Sequence, residues 1–122
     1  MREEIRNVGR LDHILSSIKI LLEYRGKYDE QTIQNDPIIF FGFVKHMEII
    51  GEATYKLTKE YREAHNEVPW EKIEALRHVL VHGYYIINKD TILLILNNDI
   101  EPLKPIIQKL FDEELEKNKE EI

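Results

Sequence analysis

The chain has 122 residues, 43% of them hydrophobic and 33% charged, with a formal net charge of -6 and no cysteine. That length fits one domain over 1–122 around one core; the missing thiols rule out disulfides and thiolate chemistry, and the acidity excludes bulk binding of duplex DNA. No apolar run approaches the roughly 20 residues that span a bilayer, and the charged stretch from Met1 to Arg10 holds no signal-like apolar core, so a cytoplasmic location is expected.

From Glu3 to Arg25 the residues Ile5, Val8, Leu11, Leu15, Ile18 and Leu22 recur every three or four positions, which predicts a first helix. It should stop at Gly26, where glycine can take the left-handed conformation that closes a helix end, and Lys27 to Asn35 reads as polar and irregular. Asp36 before Pro37 marks the start of a second helix, an N-cap acceptor ahead of a proline whose missing N–H costs nothing there. Its apolar residues, among them Phe40, Val44, Met47, Ile50 and Leu57, carry it to about Arg62 and cover more than one face, which predicts a central position. Gly42 and Gly51 inside it each cost about 1 kcal/mol against alanine, which suggests that a neighbouring helix comes close at both points.

A third helix is expected from Pro69 to Tyr84, a short fourth over Thr91 to Leu96 capped by Asp90, and a fifth from Ile100 to about Lys117 with Pro102 and Pro105 near its start. The charged tail from Leu115 is expected to fray. The fold class is therefore all-α, an antiparallel bundle of about five helices joined by short connections.

At about 100° per residue, Ile73, Leu76, Val79 and Leu80 of the third helix share the arc assigned to the core. Trp70, Arg77, Val81 and Tyr84 share a neighbouring arc, and His78 and His82 form a stripe beyond it with Tyr85 between them. An aromatic second face has no use in a monomer, so a symmetric homodimer packed through this helix is inferred. Arg77 and His82 lie about 140° apart on an ideal helix, so one chain makes a poor pair, and a two-fold axis would bring a second pair alongside to form a composite cleft.

Arg77-His78-Val79-Leu80-Val81-His82-Gly83-Tyr84 fits the R-x-x-x-x-H-x-Y motif of HepT-like toxins. Ile49-Ile50-Gly51-Glu52-Ala53 is similar to the central-helix signature of that family, and Val68-Pro69-Trp70 to the segment that opens the motif helix. Over roughly residues 5 to 110 the chain thus resembles the HepT-like ribonuclease toxins of the HEPN superfamily. The resemblance implies a homodimeric bundle and cleavage of RNA by Arg77 and His82 without metal or other cofactor. It also implies a minimal nucleotidyltransferase antitoxin, which in studied members adds AMP to the motif tyrosine, here Tyr84. After the motif arginine HEPN ribonucleases commonly carry a polar residue, often asparagine, and this chain carries His78.

Metal-free RNA cleavage needs a base for the ribose 2′-hydroxyl, charge stabilisation on the phosphorane and an acid for the departing 5′-oxygen. His82 suits the acid or base work and Arg77 the planar clamp on phosphate oxygens. His78 is the runner-up for the complementary proton transfer, and Tyr84 could bond the phosphate or stack on a base. Adenylylation of Tyr84 would place bulk and negative charge in the cleft and repel the RNA.

Other readings compete. The chain could be a non-catalytic helical module that binds a nucleotidyltransferase. Glu74, His78 and His82, at successive i, i+4 steps, could ligate zinc for small-molecule chemistry, though no fourth ligand is indicated. Glu48 and Glu52 could form a carboxylate pair, but ion pairing across the bundle, including orientation of Arg77, or simple exposure suits them better. His13, His46 and His65 lack motif context and read as structural or solvent-facing.

Overall fold

The computed structural model describes residues 6–78 and 88–120, and among these all regular structure is helical. Helix α1 spans Asn7–Arg25 and buries Leu11, Ile14, Leu15, Ile18 and Leu21, the three- and four-residue spacing read from the sequence. It ends at Gly26 as expected, but by another route. Gly26 keeps a right-handed conformation (φ -75°, ψ -16°). Its N–H donates to the carbonyls of Leu22 and Glu23 at 3.3 and 3.2 Å, and the Lys27 N–H to Tyr24 at 3.0 Å, so a tightened last turn satisfies the terminal carbonyls without a left-handed residue.

The segment expected to be irregular contains a short helix, α2, over Glu30–Asn35. The Asp29 carboxylate accepts the Thr32 N–H at 2.8 Å, and Ile33 is fully buried. One apolar residue in six gives no periodicity to detect, but the cap residue was a usable signal. Helix α3 follows over Pro37–Tyr55, its N-terminus closed by Asp36, which accepts the N–H groups of Ile38 and Ile39 at 3.0 and 3.1 Å.

The expected continuation of α3 to Arg62 is broken. The Thr58 hydroxyl accepts the Tyr61 N–H at 3.2 Å and starts a separate helix, α4, over Lys59–Ala64. A threonine that bonds its local backbone offers the chain an alternative to helix continuation. Here Asn7 fixes that choice, since its side-chain oxygen accepts the Thr58 N–H and its nitrogen donates to the Thr58 hydroxyl, both at 3.1 Å. The bend lets Leu57 point inward, where it is buried. Ser17 meets His46 at 3.1 Å while Asn7 meets Thr58, so α1 and α3 run antiparallel.

Helix α5, Trp70–Glu74, gives way to a 3-10 turn over Ala75–Arg77. Ile73 and Leu76 are buried as expected. Trp70 corrects the expectation of an exposed aromatic face: it is 6% exposed, lies in the core beside Tyr61, and its indole N–H donates to the His65 carbonyl at 2.9 Å. An N–H with a backbone acceptor in reach removes the main penalty for burying this ring. Val79 to Ile87, and with them Val81, His82, Tyr84 and Tyr85, lie outside the described residues.

The fourth expected helix is α6, Lys89–Leu94, and its cap is Asn88 rather than Asp90, accepting the Thr91 N–H at 3.2 Å. A π-turn over Ile95–Asp99 joins it to α7, Ile100–Glu120. Pro105 sits inside α7 and lacks a donor, as does Pro102. The Asn98 side chain donates to the Leu94 carbonyl at 3.0 Å, and Asn97 ties the wide turn to Arg25 (2.6 Å) and Glu30 (2.9 Å). Helix α1 packs along both α3 and α7, and α3 also meets α2, α5 and the 3-10 turn. Val44, Met47, Ile50, Ile92, Leu96, Ile100 and Ile107 fill the space between, each contributing roughly 1.5–3 kcal/mol by burial. Among the described residues no helix is long and apolar enough to cross a membrane.

Candidate active site

The motif arginine is placed by backbone contact. Gly51 on α3 lies against the 3-10 turn so closely that a Cβ there would collide with the Arg77 nitrogen and stand 2.9 Å from its Cα. The close approach expected at Gly51 is therefore real, and its partner is the backbone of Arg77 itself. At Gly42 the expectation fails: nothing lies within 4 Å of a Cβ built there.

One helical turn beyond Gly51, Tyr55 presents its ring to the Arg77 side chain, with the guanidinium carbon 3.6 Å from the ring centre. Such stacking leaves the guanidinium edge free to bond in its own plane and contributes about 0.5–1 kcal/mol at an exposed site. Tyr55 escaped the sequence reading. The signal lay in its spacing, because residues four apart on a helix share a face, so a glycine that admits a backbone puts the aromatic over what that backbone carries.

Arg77 opens onto a pocket of about 340 Å³ lined also by Arg10 and His13 of α1 and by Lys45, Glu48 and Glu52 of α3. Glu48 pairs with Lys45 at 2.7 Å and Glu52 with Lys56 at 3.7 Å, both along their own helix, so the expected pairing across the bundle is absent among the described residues. The two carboxylates share the pocket with Arg77 without forming an ion pair with it. The Nε atoms of Arg77 and Arg10 are both shielded from solvent and have no hydrogen-bond partner. A buried donor left unpaired costs about 1–3 kcal/mol, more when charged.

The 3-10 turn ends at Arg77 itself, and the angle expected between Arg77 and His82 falls on residues outside the described ones. His78 closes the turn (φ -91°, ψ -1°) and is exposed. His82 and Tyr84, proposed from the motif, lie outside the described residues. Glu74 of the zinc reading is bridged to Arg62 at 3.7 Å.

The remaining histidines are distributed as the sequence suggested. His13 is exposed at the pocket rim. His46 is half-buried against Ser17; burial, with a smaller contribution from Lys45, holds its imidazole below the ordinary histidine value. His65 stacks on Tyr61 with ring centres 4.5 Å apart. Burial raises the Tyr61 phenol above its usual range, helped by Glu114, Glu113 and Glu67, so this hydroxyl stays protonated.

The profile of the family described as Ribonuclease HepT-like matches residues 14–110. Relatives carry provisional ribonuclease names. One from Caldanaerobacter subterraneus subsp. tengcongensis is 34% identical over 104 residues, 85% of this chain and 93% of that protein. One from Methanocaldococcus jannaschii, named both a gamma-glutamylcyclotransferase and an RNase, is 33% identical over 119 residues, 98% of this chain but 52% of the relative. A third, named a ribonuclease HepT, from Thermococcus cleftensis, is 26% identical over 100 residues, 82% of this chain and 91% of that protein. No solved structure matches the chain. The profile spans α3 and the turn that carries Arg77, together with α1 from Ile14 onward, and the chain belongs to the HepT-like ribonuclease family.

Proposed function

We propose that the chain is a metal-independent endoribonuclease, the toxin of a toxin-antitoxin pair, acting in the cytoplasm as a homodimer whose composite cleft takes single-stranded RNA. The observation that carries this reading is the state of Arg77, fixed through its backbone by Gly51 and across its guanidinium by Tyr55 while its Nε remains unpaired at an open pocket. A permanently charged, planar group so prepared suits the charge that builds on a phosphorane.

In this mechanism a base takes the 2′-hydroxyl proton, the 2′-oxygen attacks the adjacent phosphorus, and the 5′-oxygen leaves with a proton from an acid. The products are a 2′,3′-cyclic phosphate and a 5′-hydroxyl. His82 performs one of the proton transfers and His78, next to Arg77, is the candidate for the other. Tyr84 contacts the RNA and is the residue to which a nucleotidyltransferase antitoxin adds AMP, blocking the cleft by bulk and charge. Residues 1–122 act as one HEPN-type domain in this reading.

The test is cleavage of a labelled single-stranded RNA in EDTA by the wild type and by His82→Ala, once intact mass has established that the chains are unmodified. Cleavage by the wild type alone is expected. If the unmodified wild type leaves RNA intact, the chain is instead a helical module for binding a nucleotidyltransferase. Equal cleavage by both proteins would remove His82 from the mechanism.

A further inference from the structure

The pocket beside Arg77 is built for more positive charge than the motif supplies. Arg10 projects into it from α1, a part of the chain the motif does not include, and His13 lies one turn further along the same helix. Arg10 and Arg77 are the two residues, among those described, with a buried and unpartnered side-chain nitrogen, and both are at this pocket. Neither forms an ion pair among the described residues. The carboxylates in the pocket pair with lysines and not with these arginines, Glu48 with Lys45 and Glu52 with Lys56. In a chain of net charge -6, two guanidiniums at one cavity without an ion-pair partner among the described residues run against the average.

The chemistry of the missing partner follows from the atom left unpaired. The Nε–H of an arginine lies beside an Nη–H in one plane, and that edge matches two oxygens of a tetrahedral oxyanion. Two guanidiniums lining one pocket call for an acceptor with several oxygens and a full negative charge. A base or a sugar hydroxyl offers neither.

We propose that Arg10 and Arg77 together hold one phosphodiester group of the RNA in this pocket, with His13 at its rim as a further hydrogen-bond donor. Arg10 is thus a substrate-binding residue supplied by α1. The assignment rests on the ribonuclease reading for the identity of the anion, while the site itself rests on the pocket.

The experiment is binding of a fluorescent single-stranded RNA made uncleavable by 2′-O-methylation, measured by anisotropy across a salt series. The full-length wild type, Arg10→Ala and Arg10→Lys are compared, each checked for its helical melt. Arg10→Ala should weaken binding about tenfold and flatten the dependence of log Kd on log salt by about 0.7. Arg10→Lys keeps the charge without the two-donor edge, so it should recover the salt slope but not the full affinity. On cleavable RNA kcat/KM should fall, with part of the loss in kcat, since the phosphodiester that Arg10 shares with Arg77 gains charge in the transition state.

Wild-type affinity and salt slope in both variants would overturn the proposal, as would failure of the wild type to bind the RNA. Should Arg10→Ala not fold, Arg10→Lys decides alone: unchanged affinity in it rejects the two-donor contact. Arg10-dependent binding without any cleavage would sustain the site and sink the nuclease reading. Cleavage with Arg10-independent binding would do the reverse.

Discussion

Helices α1 and α3 run side by side and form two different surfaces, one at each end of their contact. Near the start of α1 and the end of α3 lies the charged pocket of Arg10, His13, Lys45, Glu48, Glu52 and Arg77. At the other end lies an apolar groove of about 510 Å³, lined by Ile20, Tyr24, Tyr28, Ile38, Phe43 and His46 among others. Each surface has a glycine of α3 in it or beside it. Gly51 is filled by the backbone of Arg77, whereas Gly42 faces open space. The same residue type, nine positions apart on one helix, is a structural requirement in one place and a dispensable weakness in the other. A glycine in a helix therefore signals close approach only where something approaches.

The strongest way to break this contrast is Gly51→Ala. The added Cβ meets backbone rather than a flexible side chain, so the 3-10 turn must move. A loss of stability of about 3 kcal/mol is expected, at the upper end for overpacking, together with loss of RNA cleavage because Arg77 shifts. Chemical denaturation and the cleavage assay check both parts. An alanine tolerated in both would mean that the turn is not held by this contact.

Gly42→Ala should do the opposite. With no steric cost, helix propensity governs, and the variant should gain about 0.5–1 kcal/mol in the same denaturation experiment with cleavage unchanged. A loss of stability there would show that the apolar groove is filled in solution.

The smallest effect concerns pH. His46 is held neutral by burial against Ser17, with its folded-state value below the ordinary value of 6.5. A histidine depressed on folding contributes stability that is present above the unfolded value and is lost as pH falls through the folded one. The melting temperature should therefore decline on acidification below about pH 6.5, and His46→Gln should flatten that decline. An identical pH profile in the variant would assign the acid sensitivity to other groups.

The comparison also explains what was legible in advance. The periodicity of α1 and the Asp36-Pro37 start of α3 rest on forces within one segment, and both are legible in the sequence. The end of α3 is not, because the capping role of Thr58 is held in place by Asn7, 51 positions earlier. Trp70 was placed on an outer face by helical phase alone, yet it finds a carbonyl at His65 that makes burial favourable. Arg77 was singled out by its motif; Arg10 and Tyr55 had no motif to mark them.

The sequence by itself determined the helical class, the family and the identity of the motif residues, since periodicity, caps and ordered motifs are local properties that need no partner. Only the tertiary structure decided which glycine admits a backbone, which aromatic stacks on Arg77 and which second arginine shares its pocket. Those outcomes depend on contacts between residues 22 to 67 positions apart, and such distances are set by packing rather than by any pattern along the chain.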